Sequence, residues 1–150
     1  MYTDAEGSGG IGAVLITEDQ KLYFKEFIDK RFTDLLESRM TQIIPLEAIA
    51  VLVALHRFKR ELGQTDTILC IDNTTVLGAI RKGRSSADDV HKIITSISDL
   101  CFRLNITAHV FWVPSAMNIA DDPSRGKMIE GMTLVQNMKN AIKESISTVK

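Results

Sequence analysis

A chain of 150 residues that is 45% hydrophobic and 25% charged has the size and apolar content of one domain built on one core. Its formal net charge of -1 excludes a generally basic nucleic-acid-coating protein and an acidic tail, so any contact with a polyanion must be local. The apolar stretch from Ile49 to Leu55 falls far short of the roughly 20 residues that cross a bilayer, and no basic segment followed by an apolar one opens the chain; a soluble, unsecreted, intracellular domain is expected.

Tyr2 to Ala5 has strand composition from the outset, without lead-in or cap, as expected of a domain excised from a longer protein. After the turn Gly7-Ser8-Gly9-Gly10, Ile11 to Thr17 reads as a second strand and the period-two segment Lys21 to Phe27 as a third. Successive strands joined by short turns predict an antiparallel meander. Asp29 to Thr41 carries no clear period, whereas Pro45 to Leu62 predicts a helix whose first half is apolar on nearly every face. Gly63 ends it, and Thr67 to Ile71 is a run of the kind buried on both sides of a parallel sheet. A short helix from Asn73 to Ala79 follows, then the basic turn Arg81-Lys82-Gly83-Arg84. Ser85 and Ser86 stand where a cap is needed for a helix carrying Val90, Ile93, Ile94, Ile97, Leu100 and Leu104. Ile106 to Val113 predicts a strand ended by Pro114, a helix begins near Ala120, and Met128 to Val149 predicts a last amphipathic helix. Strand-helix-strand units require parallel pairing with right-handed crossovers, so the expected fold is α/β, a five-stranded mixed sheet flanked by helices. Cys70 and Cys101 lack metal-site spacing and sit among apolar neighbours, as buried free thiols do.

Carboxylates carry the functional signal. Asp4 lies in the first strand before a glycine turn, and Asp72 ends an apolar strand, where α/β sheets gather their ligands. Helix capping explains Asp72 equally well, because Asp72-Asn73-Thr74-Thr75 offers several capping residues. Glu47 is harder to explain structurally: among Ile43, Ile44, Leu46, Ile49, Val51 and Leu52 an unpaired charge costs several kcal/mol unless something compensates it. A capping box with Pro45 as first helical residue would make Ile44 the cap, and Ile44 has no side-chain oxygen. Asp121 and Asp122 open a helix, where acids are commonplace. Together these carboxylates form an oxygen-ligand set for a hard divalent cation.

Tyr2-Thr3-Asp4-Ala5 before a glycine turn, a glutamate in an apolar first helix, Ile71-Asp72-Asn73, and Trp112-Val113-Pro114 through Asn118-Ile119-Ala120-Asp121-Asp122-Pro123-Ser124-Arg125-Gly126 resemble the ribonuclease H domains of retroelement reverse transcriptases, of the LTR or DIRS-like retrotransposon kind. The resemblance covers roughly Tyr2 to Gly126, and its most specific part is the closing Asn-x-Ala-Asp-x-x-Ser-Arg. It implies a ribonuclease-H-like fold and an endonuclease that cuts the RNA strand of RNA–DNA hybrids with two Mg²⁺ ions, replaceable by Mn²⁺. It further implies a neighbouring reverse transcriptase domain as partner. Matching motif by motif assigns Asp4, Glu47, Asp72 and Asp121 as catalytic metal ligands; spacing to Ser124-Arg125 selects Asp121, while the spacing of cellular members would select Asp122. Ser8, Asn73, Thr74 and Asn118 are expected near the 2′-hydroxyls, and Arg81, Lys82, Arg84, Arg125 and Lys127 near phosphates. Two features depart from the pattern. No histidine lies between Val113 and Met117, the other positions being His56, His91 and His109, and Arg81, Lys82 and Arg84 are a reduced substitute for the basic protrusion of some members.

Rival readings remain. Asp4 and Glu6 spell the Asp-x-Glu of proofreading-type 3′–5′ exonucleases, without the motif those enzymes carry near the C-terminus. A transposase or integrase would cast Glu130 or Glu144 as its last acid, and a non-catalytic module of the same fold would serve binding or packing alone.

Overall fold

The computed structural model describes residues Met1–Lys150. Three antiparallel strands, β1 (Tyr2–Ala5), β2 (Gly10–Ile16) and β3 (Lys21–Phe27), form the expected meander, with Asp4 opposite Gly12 and Gly12 opposite Lys25. The parallel strands β4 (Asp66–Ile71) and β5 (Thr107–Trp112) extend the sheet on the β1 side. Connections between them run through α4 (Thr74–Lys82) and α5 (Asp88–Arg103). No helix is long and apolar enough to cross a membrane.

The segment without clear period holds only α1 (Lys30–Thr33), capped by Asp29. Its successor α2 (Ile43–Arg57) is buried at every residue from Pro45 to Leu55, because it lies against β1 and β2 on one side and against α4, α5 and α7 (Lys139–Ile146) on others. Burial on all sides explains why its sequence shows no polar stripe. The predicted helix to Leu62 breaks at Phe58, which leaves helical backbone to bury its ring 6.0 Å from that of Phe24; α3 (Lys59–Leu62) is a separate turn. Helix α5 starts at Asp88, behind Ala87, and neither Ser85 nor Ser86 caps it by a side-chain bond.

Two expectations are corrected at the C-terminal end. The sheet has six strands in the order β5-β4-β1-β2-β3-β6, since β6 (Thr133–Leu134) pairs parallel with β3. Met128 to Val149 is therefore not one helix. Gly131 and Asn137 take left-handed backbone (φ 82° and 62°), which interrupts helical winding on both sides of β6 and leaves only α7.

Both cysteines are free, Cys70 buried and Cys101 half-buried. On the sheet face opposite α2 sits α6 (Asp121–Ser124), a single turn packed on β1, β2 and β3.

Candidate metal centre

Strand register brings the first two acids together. Tyr2 is paired in parallel with Cys70, so two residues further along both chains Asp4 meets Asp72, just past the end of β4. Glu47 enters from the second turn of α2, whose packing on β1 and β2 fixes its approach. One carboxylate oxygen from each of Asp4, Glu47 and Asp72 lies within 4.8 Å of the others. Helix α2 begins at Ile43 with Gln42 as its uncapped start, so Glu47 is too far along to close a capping box.

Asp4 and Glu47 are each only 4% exposed, while Asp72 is half-buried. No ion pair of the chain reaches any of the three. Burial, then the neighbouring Asp4 charge and a hydrogen bond with Asp4, and then the Asp72 charge, push the Glu47 carboxyl far above the usual range. Burial and the Asp72 charge likewise raise Asp4, opposed by hydrogen bonds from Glu47 and Ser124. Glu47 Oε2 is buried and has no hydrogen-bond partner. A buried acceptor left without a donor costs about 1–3 kcal/mol. A hard cation bound by the three oxygens would remove that cost and the mutual repulsion together, so the donor set fits a divalent ion of the Mg²⁺ or Mn²⁺ type.

The fourth predicted acid stands outside this cluster. Asp121 opens α6 with a side chain 40% exposed, held by Arg125 Nε at 3.2 and 3.3 Å. Its link to the centre runs through Ser124, whose Oγ lies 3.1 Å from Asp4 Oδ2 and 2.7 Å from the Asp121 carbonyl oxygen. Asp122, the alternative, points to solvent and stands 4.0 Å from Lys127 Nζ.

Ser124 reaches Asp4 because α6 sits almost on the backbone of β2. A Cβ at Gly12 would come within 2.5 Å of Ser124 N and 2.8 Å of Pro123, and one at Gly10 would collide with Ser124 O. Neither the role of these glycines nor that of Ser124 is predicted from sequence; the signal was a Gly-x-Gly at period two on the strand face that carries Asp4.

The predicted nucleic-acid contacts divide. Ser8 donates its amide and hydroxyl to Glu6, which is not among the three clustered acids. Asn73 caps α4 by accepting from Val76 N at 3.0 Å. Asn118 is buried, its side chain donating to Thr3 O at 2.9 Å and accepting from Ala120 N at 3.1 Å, which ties the loop to β1. Arg81 is spent on the Val110 carbonyl at 2.5 Å. Thr74, Lys82 and Arg84 do line one open groove along α4, together with Ser85 and Ser86. The histidines lie elsewhere, His56 beside Glu144, His91 accepting from Ser85 N and His109 beside Asp66.

Trp112 ends β5. Its indole N–H donates to the backbone carbonyl of Asp72 at 3.2 Å, and the residue is 52% exposed at the rim of the centre. No protein-family model matches the chain, and comparison with curated proteins gives no match.

Proposed function

We propose that this chain is a metal-dependent ribonuclease H domain of a retroelement reverse transcriptase polyprotein, hydrolysing the RNA strand of RNA–DNA hybrids. One observation carries the reading: Asp4, Glu47 and Asp72 converge to within 4.8 Å with a buried, partnerless Glu47 oxygen and no ion pair within the protein to any of them. Two further features support it. The meander followed by two parallel strands agrees with the ribonuclease-H-like fold that the motifs imply, and Ser-Arg of the closing motif falls on the turn that touches Asp4.

In this reading Asp4, Glu47 and Asp72 hold the metal, and Asp121, whose backbone carbonyl accepts from Ser124 while Arg125 holds its carboxylate, is the further acid. When bound, a pair of divalent cations would supply Lewis acidity to the attacking water and the leaving 3′ oxygen. Ser124 orients Asp4. Glu47 reaches the centre from the buried helix α2, and Lys82 and Arg84 in the groove along α4 offer phosphate contacts.

The test is hydrolysis of an end-labelled RNA–DNA hybrid, single-stranded RNA and duplex DNA, each with Mg²⁺ or Mn²⁺. Cleavage confined to the RNA of the hybrid is expected. Equal digestion of all three, or an intact hybrid with both metals, would overturn the proposal.

A further inference from the structure

Several large apolar side chains are exposed, among them Phe27, Phe102, Phe111 and Trp112. Trp112 alone is fixed to the centre, because its Nε1–H is bonded to the carbonyl of Asp72, whose side chain belongs to the acid cluster. That bond uses the only polar group of the indole. What remains is an apolar ring on a residue 52% exposed, held by that bond and unable to read a base by hydrogen bonding. Further along the chain Met117 and Ile119 are exposed on either side of the buried Asn118 anchor, ahead of Asp121.

Electrostatics makes such a contact useful. A phosphodiester approaching three clustered carboxylates on a protein of net charge -1 meets repulsion until cations intervene, and Arg81 and Arg125 are both engaged within the protein. Lys82 and Arg84 in the groove along α4 remain for phosphate, and a contact that does not depend on phosphate charge would add to them. An immobilised aromatic ring supplies such a contact at small entropic cost, since its orientation is fixed before binding.

Resting on the function proposed above, we infer that Trp112 is a nucleic-acid contact, its ring packing against a nucleotide sugar in the minor groove beside the bond to be cut. Trp112 is a positioning residue: it sets where the strand lies over the acids and takes no part in proton or metal chemistry. The contact is sequence-independent, because the donor is already used on Asp72.

Trp112 is the only tryptophan, so its emission reports this site alone. The full chain is titrated with a fluorescein-labelled RNA–DNA hybrid in EDTA at low salt, where anisotropy measures binding. With unlabelled hybrid, tryptophan emission and its quenching by acrylamide are followed in parallel. The expected result is a blue-shifted emission and loss of acrylamide access at the concentrations where anisotropy rises. Trp112→Ala should weaken binding about tenfold without changing its salt slope, and Trp112→Phe should recover most of the loss. In Mg²⁺ the alanine variant should raise KM far more than it lowers kcat. Unaltered emission and acrylamide access on bound hybrid, or equal affinity of Trp112→Ala, would overturn the inference and leave the nuclease reading standing. Failure of the wild-type chain both to bind and to cut hybrid would overturn both.

Discussion

Asp89 and Glu47 are both acids on helices packed into the core, and both are almost fully buried, yet their surroundings are opposite. Asp89 receives four donors: Arg39 Nη2 and Nη1 at 2.7 and 2.8 Å, Glu37 N at 3.0 Å and Val90 N at 2.8 Å. Burial pushes its carboxyl up, but the Arg39 guanidinium and the two amides outweigh burial and hold it at about 2. Glu47 has no cation beside it, keeps one oxygen without a partner, and is pushed upward. A buried acid that the protein satisfies is part of the scaffold. One that the protein isolates beside two others has no partner of its own, and the proposed metal would supply one.

Crossing the two residues breaks this distinction if it is false. Glu47→Gln or Asp72→Asn should cut hybrid hydrolysis at least about 10³-fold while leaving the metal-free protein as stable or more stable, since charge repulsion is relieved without loss of shape. Either variant folded and cutting at the wild-type rate would remove that residue from the centre. Asp89→Asn should do the reverse, losing about 2–4 kcal/mol in urea denaturation by stranding Arg39, with kcat near wild type at a temperature where it is folded.

Gly12→Ala sharpens the contrast by touching the acid site through packing alone. Its Cβ must displace Pro123 and Ser124, so a loss of about 1–3 kcal/mol is expected, together with a fall in activity as Ser124 leaves Asp4. Full activity with unchanged stability would show that the Ser124 contact is dispensable. Divalent metal should separate the two acids again. Mg²⁺ or Mn²⁺ at about 100 times its Kd should add about 2.7 kcal/mol to wild type and to Asp89→Asn but much less to Glu47→Gln, as read by thermal melting against a monovalent salt of equal ionic strength.

The smallest effect is in pH. The carboxyl of Asp89 titrates lower in the folded chain than in the unfolded one, so its stabilisation is complete above the ordinary value near 3.8 and is lost as pH falls toward about 2. About 2 kcal/mol should disappear over that window in wild type and not in Asp89→Asn. Parallel acid-denaturation curves for the two proteins would refute the assignment.

What the sequence discloses follows from how local each cause is. Strands β1 and β3 and the parallel pair β4 and β5 are visible in period and composition, and Glu47 stands out because a charge inside an apolar helix conflicts with its neighbours. The helix break at Phe58 and strand β6 are not visible: one depends on a ring finding Phe24 across the core, the other is two residues long and has no period to read. The same holds at the centre. Asp4, Glu47 and Asp72 are found as acids in unusual places, whereas the seat of α6 on Gly10 and Gly12 is a matter of missing atoms, and Asn118 looks like a polar loop residue until its amide is seen inside the fold.

Arg81 has a consequence for handling the protein. Strand β5 ends the sheet, and the amides of Thr107 and Val113 are turned inward to Thr65 and Ile71, which leaves intervening groups such as the Val110 carbonyl along an open edge. A bare edge of this kind recruits further strands and seeds precipitation. The Arg81 guanidinium, laid over Val110 O, places a charge on the middle of that edge and blocks a neighbouring molecule from adding to it. Arg81 thus stands against edge-to-edge pairing, a duty that its position in a basic turn does not suggest.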